Sequence, residues 1–265
     1  MPHYSYIVVE GPHDVEFIAR LLSVHGFHRV QYLRDLNPFW GTSKIIPNKF
    51  PYNDDLLKRV PVPLFFQTPT HSVAIHSASG YTRIAETIQE TFRIINNPEN
   101  IESIGIVLDA DVKETVARRF KIMLNELKEK NPGLVFPDAP GLIADNHPAT
   151  GIYILPDNHS AGTLENILLE AAAVNYPKLN TATDRYIQSI DLSQLNMQDL
   201  EDFHKPAGPN KARVGSIASI LKPGKAIQVS IQDNRWIEGE ALNLPAIQAI
   251  SSFLNQLLHL EGNGN

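Results

Sequence analysis

Cysteine is absent from all 265 residues, which excludes disulfides, thiolate zinc sites and cysteine nucleophiles and leaves carboxylate or imidazole as the donors for any metal. The absence fits a reducing compartment. No apolar run approaches the roughly 20 residues of a spanning helix, and Met1 to Val9 shows neither a basic n-region nor a long apolar stretch. The cytoplasm is the expected location, with no membrane partner. An excess of positive charge is missing too: 23 basic against 29 acidic side chains give a net charge of -6. That balance argues against coating nucleic acid or membrane through bulk charge, and leaves room only for a local basic groove. Neither G-x-G-x-x-G nor G-x-x-x-x-G-K-[ST] occurs, which removes dinucleotide and P-loop readings. What is present is a chain 43% hydrophobic and 20% charged, able to bury a full core unaided.

The apolar pattern alternates between short runs and helical stripes. Ser5 to Val9 is too brief for a helix and ends at Glu10-Gly11-Pro12, so it reads as a buried strand. Val15, Ile18, Leu21 and Leu22 then recur at helical spacing up to Gly26. Val73 to His76 predicts a second strand, followed by a helix carrying Ile84, Ile88, Phe92 and Ile95. Ile104 to Leu108 predicts a third, followed by a helix carrying Val116, Phe120, Met123 and Leu127. Gly151 to Leu155 predicts a fourth, backed by Leu164, Ile167, Leu168 and Ala171. Strands alternating with helices of this length predict an α/β fold: a mostly parallel sheet with helices on both faces.

Three stretches depart from that rhythm. Residues 34–70 hold six of the 19 prolines, around Phe39-Trp40, and are expected to form an inserted arm with little regular helix and an added strand at Leu64 to Gln67. Asp184 to Asp202 carries five acids against Arg185 alone, whereas His204 to Gln232 carries Lys205, Lys211, Arg213, Lys222 and Lys225 with no acid. Val214, Ile217, Ala218 and Leu221 place a helix in the basic stretch, and Leu244-Pro245 opens a last helix, proline being tolerated in a first turn. The tail Glu261 to Asn265 is expected to fray. One domain over 1–265 is expected, its C-terminal part helical from about 178.

In an open α/β sheet, ligands sit outside the carboxyl ends of the strands, so the residues after each apolar run carry the functional information. Here they are acidic: Glu10 and Asp14 after the first, Asp109 and Asp111 after the third, Asp157 and Glu165 after the fourth. If the third strand continues through both aspartates, their carboxylates point to one side. Carboxylates gathered at one sheet edge repel one another unless a cation holds them, and an all-oxygen donor set suits Mg²⁺ or Mn²⁺. Each residue also has a plain structural reading. Asp111 would cap the following helix, Asp157-Asn158 would be turn chemistry, and Glu165 would answer the macrodipole of its helix. His13, His76, His159 and His204 show no metal spacing and read as surface or hydrogen-bonded histidines. Lys211 lies one turn ahead of an apolar stripe, where it would meet an anion at a helix N-terminus or simply solubilise the surface.

Val-Val-Glu10-Gly11-x-x-Asp14 after the first strand and Val-Leu-Asp109-x-Asp111 after a later one resemble the topoisomerase-primase (Toprim) fold. The run from Ile152 through Ser160 to Glu165, together with Asn210-Lys211-Ala-Arg213-Val and the segment around Trp236, is similar to uncharacterised bacterial Toprim-like proteins near the overcoming-lysogenization-defect nucleases. The resemblance runs from Tyr4 to about Leu258, with no counterpart for the arm at 34–70. It implies a Mg²⁺-dependent nuclease or phosphoryl-transfer enzyme acting on nucleic acid. Glu10, Asp109 and Asp111 would hold the metal, Asp14 and Glu165 would support a second one, and Lys211 would neutralise developing charge. The related nucleases commonly carry an ATPase domain, so the resemblance implies that this chain takes one from a partner protein or does without. The alternative is a non-catalytic Toprim-like binding or regulatory module, which a net charge of -6 suits. A third reading takes Asp109-Ala-Asp111 as the nucleophile motif of a haloacid-dehalogenase-type phosphatase; there the motif follows the first strand, and a small hydroxyl residue stands where this chain has Lys113. A receiver domain would need an acidic pair at the first strand and about half the length.

Overall fold

A computed structural model describes residues 2–47 and 62–260. The middle of the proline-rich arm, with Pro51 and Pro61, and the tail expected to fray lie outside the described residues. The contacts group the chain into two compact units where one domain is expected. Unit 1 comprises Met1–Leu108, Phe120–Tyr153 and Phe253–Asn265; unit 2 comprises Asp109–Arg119 and Ile154–Ser252.

Unit 1 is built on a mostly parallel sheet of an α/β fold. Its strands, in chain order, are β1 (His3–Val9), β2 (His28–Arg29), β3 (Leu64–Gln67), β4 (His71–Ser77), β5 (Ile101–Asp109), β6 (Ile143–Ala144) and β7 (Ala149–Leu155). Their spatial order is β2-β3-β4-β1-β5-β7-β6. The central β4, β1 and β5 run parallel, with Val9 level with both Ser77 and Val107. Their carboxyl ends therefore share one edge. Each was legible as an apolar run because it is buried on both faces, Ile7, Ala74 and Ile106 being closed from solvent. Toward one rim β3 turns antiparallel to β4 and β2 antiparallel to β3, so β2 runs with the centre again; at the other rim β6 opposes β7.

Helices α1 (Pro12–Val24) and α3 (Ile84–Ile94) pack on β1, α1 on β4 as well. Pro12 opens α1, where its missing N–H costs nothing. Among the described residues of the arm is the short helix α2 (Pro38–Gly41), whose buried Trp40 donates from Nε1 to Ser72 Oγ at 2.9 Å. The longer α4 (Val116–Lys130) passes from unit 2 into unit 1. A side-chain methyl at Gly151 would stand 2.7 Å from both Ile143 and Phe253. That close approach requires glycine, and it lets the end of the last helix settle on β7, with the Phe253 ring 5.2 Å from Tyr153.

Several polar groups inside unit 1 are paired. The Tyr6 hydroxyl shares hydrogen bonds with His76 Nδ1 at 2.7 Å and Thr91 Oγ1 at 2.8 Å. Burial pushes the Tyr6 phenol well above its ordinary value, the Thr91 bond opposing it. His71, level with His3 across β4 and β1, stacks on it at 4.9 Å and shares a hydrogen bond with Thr70. Burial lowers the His71 pKa, the neighbouring His3 adds to the effect, and the Leu258 carbonyl and Glu102 offset part of it.

A histidine whose folded pKa lies below its unfolded value of 6.5 stays neutral in the fold while the unfolded chain takes up a proton. The stability His71 contributes is thus complete above about pH 6.5 and declines as pH falls from there toward its folded value. His71→Gln is expected to flatten that part of the stability curve. Urea midpoints between pH 7.5 and 5.5 check it, and parallel curves for the two proteins would refute it.

Unit 2 is helical around α5 (Leu164–Asn175), with α6 (Pro177–Ser189) and α7 (Gly208–Leu221) against it and α8 (Ile227–Asp233) against α7. Helix α9 (Pro245–Leu257) opens in unit 2 with Ile247 and Ile250 buried, its first residue the expected proline. Asn175, at the end of α5, donates to the carbonyls of Arg235 at 2.7 Å and Glu238 at 3.0 Å. The next residue, Tyr176, accepts from Arg235 N–H at 2.6 Å. These bonds fix the turn that buries Trp236, whose Nε1 donates to Ser230 Oγ at 3.0 Å.

The charge swap of the sequence is internal pairing in part: Arg213 meets Asp184 at 3.4 Å and Lys205 pairs with Asp202, while Lys222 meets Asp233, beyond both stretches, at 3.0 Å. Among the described residues, no helix is long and apolar enough to cross a membrane.

Candidate functional site

The expected site residues divide between the units. In unit 1, Glu10 follows β1 directly, and its carbonyl accepts from Gly80 N–H at 2.9 Å. Asp14 lies 7% exposed in the first turn of α1, where its Oδ2 accepts from Gly11 N–H at 2.9 Å and ties off the helix start. Asp109, Asp111, Glu165 and Lys211 belong to unit 2.

Asp109 closes β5, and its Oδ1 accepts from the backbone N–H of Leu164, the first residue of α5, at 2.8 Å. The carboxylate therefore sits at the positive end of a twelve-residue helix. Glu165 follows Leu164 on α5. It is 7% exposed, and its Oε2 is buried with no hydrogen-bond partner; Thr163 Oγ1, two residues earlier, is buried in the same way. A carboxylate oxygen closed from water and from donors is costly unless a proton or cation meets it.

Asp111 corrects both expectations from sequence. The strand stops at Asp109, so the two carboxylates are not aligned by strand alternation. Helix α4 begins five residues later, at Val116, so Asp111 is not its cap; Thr115 Oγ1 accepts from Arg118 N–H instead. Asp111 lies at φ 70, in the left-handed region that aspartate tolerates better than most residues. Its backbone exchanges two hydrogen bonds with Gly162, at 3.0 and 3.2 Å, and Ala110 N–H donates to Leu155 carbonyl at 3.0 Å. Gly162 itself stands at φ 153, and a methyl there would press on Asn166 Oδ1 at 3.0 Å and Pro156 at 3.2 Å. Glycine is thus required for the loop ahead of α5 to reach Asp111.

The Asp111 side chain accepts from Val112 N–H at 2.6 Å through Oδ1 and from Arg119 Nη2 at 3.3 Å through Oδ2. Arg119 escaped notice in the sequence because it occupies an ordinary charged position of an amphipathic helix. Thr163 and Gly162 carried no signal beyond turn composition.

Asp157 is turn chemistry, as its plain reading holds: Oδ1 accepts from the N–H groups of His159 and Ser160, and Oδ2 from Ser160 Oγ. Partial burial raises its carboxyl, but the Ser160 and His159 bonds outweigh this and hold it below the usual range. Lys211 is exposed in the first turn of α7 and contributes to lowering the pKa of Asp202.

Among the described residues, no three His, Asp or Glu side chains form a ready metal cluster. The donor set in unit 2 still fits Mg²⁺ or Mn²⁺: its ligands are oxygen, Glu165 Oε2 is orphaned, and Mg²⁺ is held by only one or two protein carboxylates while keeping several waters.

No curated protein matches the chain. A hypothetical protein of Pyrococcus horikoshii OT3, solved by crystallography, is similar at 18% identity with a TM-score of 0.49, over 96% of this chain and 95% of that one. A family model described as a protein of unknown function, DUF3226, matches residues 4–259, and the chain belongs to that family.

Proposed function

We propose that this protein is a Mg²⁺- or Mn²⁺-dependent nuclease, or a related phosphoryl-transfer enzyme, acting on nucleic-acid phosphodiesters. The observation that carries the reading is a pair of carboxylates at the start of α5: Asp109, from the end of β5, anchored by Leu164 N–H, and Glu165, the residue after Leu164, with its Oε2 buried and unpartnered. Asp109 and Asp111 would supply donors, Asp109 held by Leu164 N–H and Asp111 by its two backbone bonds to Gly162. Glu10 and Asp14 enter through the Toprim resemblance, and a partner ATPase enters the same way. A bound divalent ion would polarise the phosphate, orient water and stabilise the leaving oxygen. Lys211, exposed on α7, is assigned to balance the charge of an incoming phosphate.

The test is cleavage of single- and double-stranded DNA and RNA, with Mn²⁺ binding followed by calorimetry. Activity that needs Mg²⁺ or Mn²⁺ and stops with chelator is expected. Cleavage indifferent to chelator would place the chemistry elsewhere. Metal binding with no cleavage, with or without cell extract, would favour the non-catalytic binding module.

A further inference from the structure

We infer that Arg119 is a resident counter-cation of Asp111, which a divalent ion must displace or outcompete to use that carboxylate. The inference rests on the metal-dependent reading of the same loop and adds a device that sets its metal threshold.

The geometry is asymmetric. The Arg119 side chain is 7% exposed and that of Asp111 is 51% exposed, so the cation is buried and the anion faces water. A buried guanidinium must be paired and hydrogen-bonded to remain. Arg119 uses the loop for this: Nε donates to the Ala110 carbonyl at 3.3 Å and Nη2 to Asp111 Oδ2 at 3.3 Å. Its helix position adds rigidity, because α4 carries Arg119 one turn from its start.

Oδ1 of Asp111 accepts from Val112 N–H and Oδ2 from Arg119, while the half-exposed carboxylate still presents an outer face to a hydrated cation. A divalent ion approaching that face meets the positive guanidinium behind the carboxylate, which weakens binding relative to a free aspartate. The simpler alternative makes Arg119 a positioning residue only, orienting Asp111 for the metal. The two readings predict opposite signs when the charge is removed.

Mn²⁺ alone serves as the probe, on the full chain. Arg119→Gln keeps amide donors and removes the charge, and is expected to bind Mn²⁺ about tenfold more tightly, which corresponds to about 1.4 kcal/mol. Arg119→Lys keeps the charge and is expected to stay within about twofold of the parent, well under that tenfold step. Equal or weaker binding by Arg119→Gln, with the parent binding Mn²⁺, would overturn the inference and leave the metal reading standing. Absence of Mn²⁺ binding by every form would overturn both. A second measurement is read on the parent itself: Mg²⁺ should shift the Arg119 Nε–H resonance, which Arg119→Lys serves only to assign, along the binding isotherm. A resonance that does not move while Mg²⁺ binds would equally overturn the inference.

Discussion

Asp109→Asn is expected to lower metal-dependent cleavage by at least about 10³-fold, equivalent to about 4 kcal/mol of transition-state stabilisation. Asparagine keeps an oxygen where Oδ1 accepts from Leu164 N–H, so the start of α5 stays tied to β5. What disappears is the negative charge, and with it, on the proposed metal-dependent reading, the hold on a divalent ion. Loss of an anion at a helix N-terminus costs about 0.3–1 kcal/mol, so the melting temperature should fall by no more than about 4 °C. Activity, Mn²⁺ affinity and thermal unfolding measured on one preparation separate the effects. A folded variant that cleaves like its parent would remove Asp109 from the chemistry.

The largest expected effect on stability belongs to Trp236. Its side chain is fully closed from solvent, stands edge-on to Tyr176 at 6.0 Å and donates to a Ser230 hydroxyl that is itself fully buried. Trp236→Ala removes the ring, leaves a cavity and strands that hydroxyl. Large-to-small changes of this kind cost about 3–5 kcal/mol, and the unsatisfied hydroxyl adds about 1 kcal/mol or more. For a chain of this size the melting temperature should drop by roughly 10–15 °C. Trp236→Phe, which keeps most of the apolar volume and loses only the donor, should cost less than half as much by the same reasoning. A drop below about 3 °C for the alanine variant would show that the Arg235–Glu238 turn does not depend on this ring.

By itself the sequence determined the elements that bury an apolar face. β1, β4, β5 and β7 were visible as short apolar runs because a strand covered on both faces has no polar positions to alternate with. Helices α1, α3, α4, α5 and α7 were visible because Val, Ile and Leu recur at helical spacing. Proline at the start of α9 marked its first turn. The two-residue strands β2 and β6 are too short to carry a period, and α6 was expected only as part of a helical stretch from about 178, because only Thr183 of its residues is buried and no apolar stripe marks its bounds.

Tertiary structure decided the rest, because it turned on bonds between residues far apart in the chain. Asp111 left the strand direction since Gly162, 51 residues away, exchanges hydrogen bonds with it. Asp184 and Arg213 cancelled charges that looked like opposed blocks along the sequence. Two units emerged from interleaved segments, a partition no composition shift marks. Periodicity reports only what each residue does with its neighbours three or four places away. The pairing of Arg119 with Asp111 and the burial of Glu165 Oε2 depend on which loops the fold places side by side.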